Sequence, residues 1–287
     1  MKEALFYEKT EEEKVHCLLC PVDCHITPGR NGFCMVRRNE GGILYAPYYA
    51  QVTALGLDPI EKKPLYHFRP GSRILSVGGY GCNMRCFFCQ NHEISLAEAL
   101  PKTTRLLPDQ LLFMAKELIA DGNIGAAFTY NEPFVHYEYL WDCARLLKAE
   151  GLAVVIVTNG YVRCEPLAAL LPYVDAMNID LKGFTEEYYR SLKGGLDDVK
   201  ETIRAVAAGC HVEVTTLVVP GRNDSPAEME ALSRWLGSVD RSIPLHLSRF
   251  FPRYQALDTP ETDKEDLLRL KEIAAQYLAH VYVGNVD

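Results

Sequence analysis

Apolar positions follow two different rhythms along the chain, and the change between them divides the sequence. From Arg73 onward, short apolar runs alternate with stretches of helical spacing. RILSV (73–77), GAAFT (125–129), LAVVIVT (152–158), VDAMNID (174–180), HVEVTTLVV (211–219) and IPLHL (243–247) read as buried strands. Short apolar runs bounded by turn residues suit a sheet covered on both faces. Between them, LLPDQLLFMAKELIADG opens on Pro108 and Asp109 and closes near Gly122, and PFVHYEYLWDCARLLKAEG begins at Pro133 and stops at Gly151. Proline is tolerated in a first helical turn, where its missing N–H has no partner to lose, and glycine accepts the left-handed conformation that ends a helix. Further helices are predicted at about 165–172, 185–192, 197–208, 226–237 and 263–279, and a last apolar run, HVYVG, ends the chain.

Strand–helix alternation predicts an α/β protein with a mainly parallel sheet. Six units over about 210 residues fit a partial (β/α)6 TIM-type barrel better than an eight-unit barrel, which takes about 250. An open doubly wound sheet is the alternative with the same pattern. Either way, loops after the C-terminal ends of the strands form the working face. Residues 1–70 differ: they are rich in Cys, Gly, Pro and Tyr, with turn signals such as PGRNG (28–32) and EGG (40–42). They predict a small Cys-rich metal-binding module and an extended connection, leaving 71–287 as the barrel.

Composition narrows the function classes. Hydrophobic residues at 48% supply a sizeable core, and a net charge of −8 argues against general nucleic-acid binding, which needs a basic face. The first residues, MKEALFYEKTEEEKVHC, lack the apolar core of a secretory signal, and no run is long enough to span a bilayer. The expected compartment is therefore the cytoplasm, with no membrane partner. There, ten cysteines point to metal ligation rather than disulfides.

Seven of the ten fall in two clusters. Cys82, Cys86 and Cys89 follow the first predicted barrel strand in a C-x3-C-x2-C pattern. Three thiolates on one loop suit an iron–sulfur cubane and leave one iron without a protein ligand; a zinc site completed by His92, or three buried thiols, is the alternative. Cys17, Cys20, Cys24 and Cys34 have the spacing of a closed tetrathiolate site, for zinc or a second iron–sulfur cluster, with His16 and His25 as substitute ligands. In a module this small, metal binding supplies much of the folding energy.

The segment GCNMRCFFCQN, with Phe88 before the third cysteine, resembles the radical S-adenosylmethionine (SAM) signature. The resemblance implies a [4Fe-4S] cluster on Cys82, Cys86 and Cys89 whose open iron chelates SAM, reductive cleavage of SAM, and hydrogen-atom abstraction by the resulting 5′-deoxyadenosyl radical. It also implies cofactor contacts. Asn131 and Glu132 of FTYNEPF resemble the motif for the SAM amino group, Thr158 and Asn159 of VTNGY would lie near SAM, and Asp180 and Lys182 of NIDLKG match a D-x-K that contacts it. His246 and Arg249 of LHLSRFFP are further candidates for SAM or substrate. Plainer readings exist: Asn131 and Glu132 can cap the helix at Pro133, and Asp180 with Lys182 can be a simple ion pair.

Over nearly the whole chain, CxLCPxxC, DPIEKKPLYHFRPGS (58–72), FTYNEP, TNGY, DLKGF, VPGRND and VYVGN resemble the radical SAM enzyme of the AmmeMemoRadiSam system, close to pyruvate formate-lyase activating enzyme homologues. This implies a low-potential electron donor of flavodoxin or ferredoxin type, and AMMECR1-type and Memo-type partner proteins. Glycyl-radical activators commonly carry G-P-G-x-R-x-x-x-F ahead of the cysteines, where this chain has Arg69-Pro70-Gly71-Ser72-Arg73 and no matching Phe. Glycyl-radical activation is thus the alternative enzymatic reading, and a zinc or iron–sulfur assembly module the non-enzymatic one.

Overall fold

The computed structural model describes residues 1–96 and 100–286. Its main sheet has eight strands: β1 (Ala54–Pro59), β2 (Arg73–Gly78), β3 (Asn123–Thr129), β4 (Ala153–Thr158), β5 (Ala176–Asp180), β6 (His211–Val218), β7 (Leu245–Arg249) and β8 (Val281–Gly284). They lie side by side in chain order, parallel from β2 to β8, with β1 antiparallel on the edge beside β2. The helices α1 (Pro108–Glu117), α2 (Tyr137–Ala149), α3 (Cys164–Leu170), α4 (Glu186–Ser191), α5 (Leu196–Ala207), α6 (Pro226–Val239) and α7 (Lys264–Ala274) fill the crossovers. Sequential order curls such a sheet into a partial barrel, and residues beyond β2 and beyond β8 meet in one cavity.

The expected six strands are present, and two more were not counted. HVYVG is the seventh parallel strand, β8, while Ala54–Pro59 lies in what reads as an extended connection. Its pattern ALGLDP alternates too weakly to announce a strand, because an edge strand buries little. Helix starts follow their caps. Glu132, Thr185, Ser225 and Asp263 accept backbone N–H groups at the first turns that follow them. The expected 108–122 helix tightens to a 3-10 turn at Leu118–Asp121 and ends on left-handed Gly122.

Strand alternation sorts the side chains into two cores. Leu75, Val77, Phe128, Val154, Ile156, Met177 and Ile179 face the helices. Ile74, Ala127, Val155 and Ala176 face the lumen, where Ile60 and Leu65 close the barrel from below. The stretch 60–68 is therefore the barrel floor. Above it Asp58 accepts hydrogen bonds from Lys63, Ser76 and Tyr130, each at 2.8 Å.

The N-terminal module consists of two small antiparallel sheets, Tyr7–Lys9/Val15–Cys17/His25–Ile26 and Lys2–Glu3/Ile43–Ala46/Arg38–Glu40. It docks on α2 through Arg37 and Glu138, both only 1% exposed and 3.1 Å apart. Glu138 also accepts from the Leu5 backbone N–H at 2.7 Å. Gly81 lets the barrel meet this module: at its φ of +85°, a Cβ would lie 2.4 Å from the Cys34 carbonyl oxygen.

Candidate radical SAM site

The C-terminal ends of the parallel strands surround a cavity of about 330 Å³. Cys82, Cys86 and Cys89 line it from the loop after β2, and Asn131, Glu132, Thr158, Asn159, Asp180 and Lys182 from the ends of β3, β4 and β5. The sequence separates these residues by a hundred positions; the parallel sheet brings them together because each lies at a strand's C-terminal end.

The cysteine loop is held by side chains that bond its backbone and its neighbours'. The Asn131 carbonyl oxygen accepts from Gly79 N–H at 2.8 Å, and its amide donates to the Tyr80 and Gly81 carbonyls at 3.3 and 3.1 Å. Arg85 donates to the Cys82 and Met84 carbonyls at 2.8 Å and to that of Phe33 in the module. Asn91 donates to the Tyr130 carbonyl at 2.6 Å. Asn131 thus fixes the loop that presents the thiols. Burial raises the thiol pKa values, that of Cys86 to about 11, so the thiols keep their protons until a metal displaces them.

Glu132 is buried at the centre. Its oxygens accept from Phe134 N–H at 3.0 Å, from the Thr158 hydroxyl at 2.8 Å and from Asn159 N–H at 2.8 Å. Burial raises its pKa to about 7, while these three hydrogen bonds and the Lys182 charge pull the other way. A carboxylate has about four acceptor positions, so one remains for an ammonium group. The capping role and the cofactor role are therefore compatible. Thr158 positions Glu132. Asn159 donates to Asn83 at 2.9 Å and reaches the Cys82 sulfur at 3.6 Å.

Asp180 and Lys182 pair at 2.9 Å in the cavity wall. Burial opposes the Lys182 charge, but Asp180 and then Cys86 hold its pKa well above the ordinary value. A cation beside three thiolates offsets part of their negative charge.

His246 and Arg249 lie elsewhere. Neither lines the cavity. His246 pairs with fully buried Glu213 at 2.6 Å, and Glu213 also holds His211 at 2.9 Å and the Tyr66 and His67 N–H groups of the floor. A histidine one strand from a buried carboxylate is recruited to it, which no local pattern announces. Arg249 is spent on the Thr262 carbonyl and Glu261, both at 2.7 Å. His92, the candidate fourth ligand, stacks on Tyr254 and bonds the Cys89 carbonyl.

Sequence reasoning misses the cavity's far side, formed by Lys62, Thr215, Ser248 and Asn285. Lys62 comes from the floor segment EKKP, whose lysine pair is the one local signal that was available. In the module, Cys17, Cys20, Cys24 and Cys34 line a second, much smaller cavity. His16 and His25 do not join them. Their rings stack at 4.2 Å outside it and face Asp23.

Fold and site together define a class: a partial α/β barrel with a three-thiol loop at the C-terminal ends of its strands and a buried carboxylate, Glu132, lining the same cavity. Residues 76–236 match the Radical SAM superfamily, more than half the chain, and the protein belongs to that family. An uncharacterized protein of Methanocaldococcus jannaschii is 41% identical over 100% of this chain and 86% of its own length. The pyruvate formate-lyase-activating enzyme of Clostridium pasteurianum is 26% identical over 73% of this chain and 92% of its own. A radical SAM methyltransferase structure from Sphaerobacter thermophilus superposes with a TM-score of 0.57 at 19% identity, covering 75% of this chain and 67% of that one. That likeness concerns the fold. Among the described residues, no helix is long and apolar enough to cross a membrane.

Proposed function

We propose that Cys82, Cys86 and Cys89 hold the [4Fe-4S] cluster of this radical SAM enzyme, and that the protein directs a 5′-deoxyadenosyl radical at a hydrogen atom of its substrate. The carrying observation is that the three thiols share one cavity with Glu132, Asp180 and Lys182. The residues suit the group: three thiolates leave one iron open, and the free acceptor position on Glu132 suits the SAM ammonium. When bound, cluster and SAM supply a one-electron cleavage that yields methionine and the radical. The chain's own work is to hold and orient. Asn131 fixes the cysteine loop, Thr158 and Asn159 fix Glu132, and Lys182 balances thiolate charge. A reductant of flavodoxin or ferredoxin type supplies the electron, the expected setting is the cytoplasm, and the AMMECR1-type and Memo-type proteins implied by the sequence resemblance are the proposed partners.

The test is anaerobic reconstitution with iron and sulfide, followed by an assay for 5′-deoxyadenosine with a strong reductant. Product is expected from the unmodified protein and none from Cys86→Ala, which removes a cluster ligand. Zinc retained in place of iron, with no product, would favour an assembly module instead. A second reading, activation of a glycyl-radical enzyme, is supported by relatives named as activating enzymes. It requires a stable glycine-centred radical on a partner, visible by electron paramagnetic resonance.

A further inference from the structure

Four thiols of the N-terminal module, one buried cation and one asparagine form a second centre linked to the first. Cys17, Cys20, Cys24 and Cys34 surround a small cavity together with Arg37 and Asn83. Cys17 and Cys34 are buried, while Cys20 and Cys24 are half-buried. The sulfur spacing bears on the metal. A single tetrahedral zinc, with Zn–S bonds of about 2.3 Å, draws its four sulfurs to about 3.8 Å from one another. Among the described residues, only His16, Asp23 and His25 form a group of three or more donor atoms mutually within 4.8 Å. No three of the module thiols are therefore mutually within 4.8 Å, and the same holds for Cys82, Cys86 and Cys89. Wide spacing suits a polynuclear cluster, in which each thiolate binds a different iron.

Arg37 adds an independent observation. It is 1% exposed, its terminal nitrogens serve Glu138 and the Leu5 carbonyl, and its buried Nε–H has no partner among the described residues. A buried donor on a cation beside four thiolates is matched by an anionic cluster, whose sulfur atoms accept hydrogen bonds. Asn83 makes the link. It follows Cys82 directly, lines the same small cavity as Cys20, and its side-chain carbonyl oxygen accepts from Asn159, which reaches the Cys82 sulfur. Gly81 brings the Cys34 backbone against the same loop.

We infer that the N-terminal thiols hold a second iron–sulfur cluster, which passes electrons to the Cys82/Cys86/Cys89 site through the Cys20–Asn83–Cys82 connection. This rests on the radical SAM reading of the recipient site. One electron leaves a reduced flavodoxin or ferredoxin, which is oxidised by one electron. It reduces the module cluster on its half-buried Cys24 side, and then moves on to the SAM site, where it is consumed in breaking the sulfonium bond. No proton or atom is transferred.

The test uses the full chain reconstituted anaerobically with ⁵⁷Fe and sulfide. Expected are about eight irons per chain, no stoichiometric zinc, and two paramagnetic signals after reduction, of which SAM perturbs one. Rapid freezing after mixing with flavodoxin hydroquinone should show the SAM-insensitive signal first. In Cys20→Ala/Cys34→Ala, the SAM-perturbed signal should persist alone. 5′-Deoxyadenosine formation should then fall about tenfold or more with flavodoxin, yet stay within about twofold with titanium(III) citrate. About one zinc and about four irons per chain would overturn the second cluster, and an unchanged flavodoxin rate in the variant would overturn the relay. If the variant does not fold, the metal inventory and the order of the two signals in the unmodified chain decide. Absence of the SAM-perturbed signal alone would sink the radical SAM assignment and the relay with it, while the SAM-insensitive signal would still report the module cluster.

Discussion

Glu132 shows how one side chain serves two ends. Its three internal hydrogen bonds hold the carboxylate against burial, and the residue lines the cavity with one acceptor position left over. Glu132→Gln keeps the shape but puts an amide NH2 where the Thr158 hydroxyl or a backbone N–H now donates. One hydrogen bond to a charged group contributes about 1.5–3 kcal/mol, so SAM affinity should fall by about tenfold or more. Equilibrium SAM binding to the reconstituted variant checks this; unchanged affinity would remove Glu132 from the cofactor site. At this scale sequence spacing was informative for Cys82, Cys86, Cys89, Asn131, Glu132, Asp180 and Lys182, which all line the cavity. It was uninformative for His246, whose partner Glu213 lies on the neighbouring strand.

Between elements, Glu213 ties β6 to β7 and to the floor. Burial would raise its pKa, but hydrogen bonds from His211, His246 and the Tyr66 and His67 N–H groups outweigh it and hold the group at about 2, against an ordinary value of 4.5. A depressed carboxylate pKa contributes stability that is complete above about pH 4.5 and lost as pH falls toward 2. The shift corresponds to about 3 kcal/mol. Glu213→Gln should therefore lower unfolding stability by about 2–3 kcal/mol at pH 7 and flatten its acid limb, as measured by urea unfolding between pH 2 and 7. A parallel pH profile in wild type and variant would show that another carboxylate governs the acid limb. The floor itself was hard to read because 58–72 carries turn residues and its apolar positions bury against four different strands. Gly81 belongs to the same scale. Gly81→Ala adds a Cβ that meets the Cys34 carbonyl in a left-handed backbone, so a loss of about 2 kcal/mol or more is expected, with looser module docking seen by hydrogen exchange at residues 33–37.

For the whole molecule, the module and barrel are joined by a buried ion pair, Arg37–Glu138, rather than by apolar contact alone. Removing one partner strands a buried charge, which costs about 3–5 kcal/mol. Glu138→Ala should lower the unfolding midpoint and expose the module to proteolysis before the barrel. A single cooperative transition at the wild-type midpoint would mean that the pair carries no docking energy. This coupling gives the N-terminal thiols a fixed position beside the Cys82 loop instead of a tether.

The sequence by itself determined the strand–helix order, the α/β class, the three-thiol signature and the chemistry of its cofactor, because these depend on residues close in the chain and on strand ends that a parallel sheet always gathers on one face. Only the tertiary structure decided that Ala54–Pro59 and the 60–68 floor complete the barrel, that Lys62, Ser248 and Asn285 form the far wall, and that His246 serves Glu213. It also decided that Asn83 stands between two thiol centres whose cysteines are some fifty residues apart. Those outcomes depend on which strands curl toward one another and which buried charges find partners. Such contacts are made across long separations and leave no periodic trace in the chain.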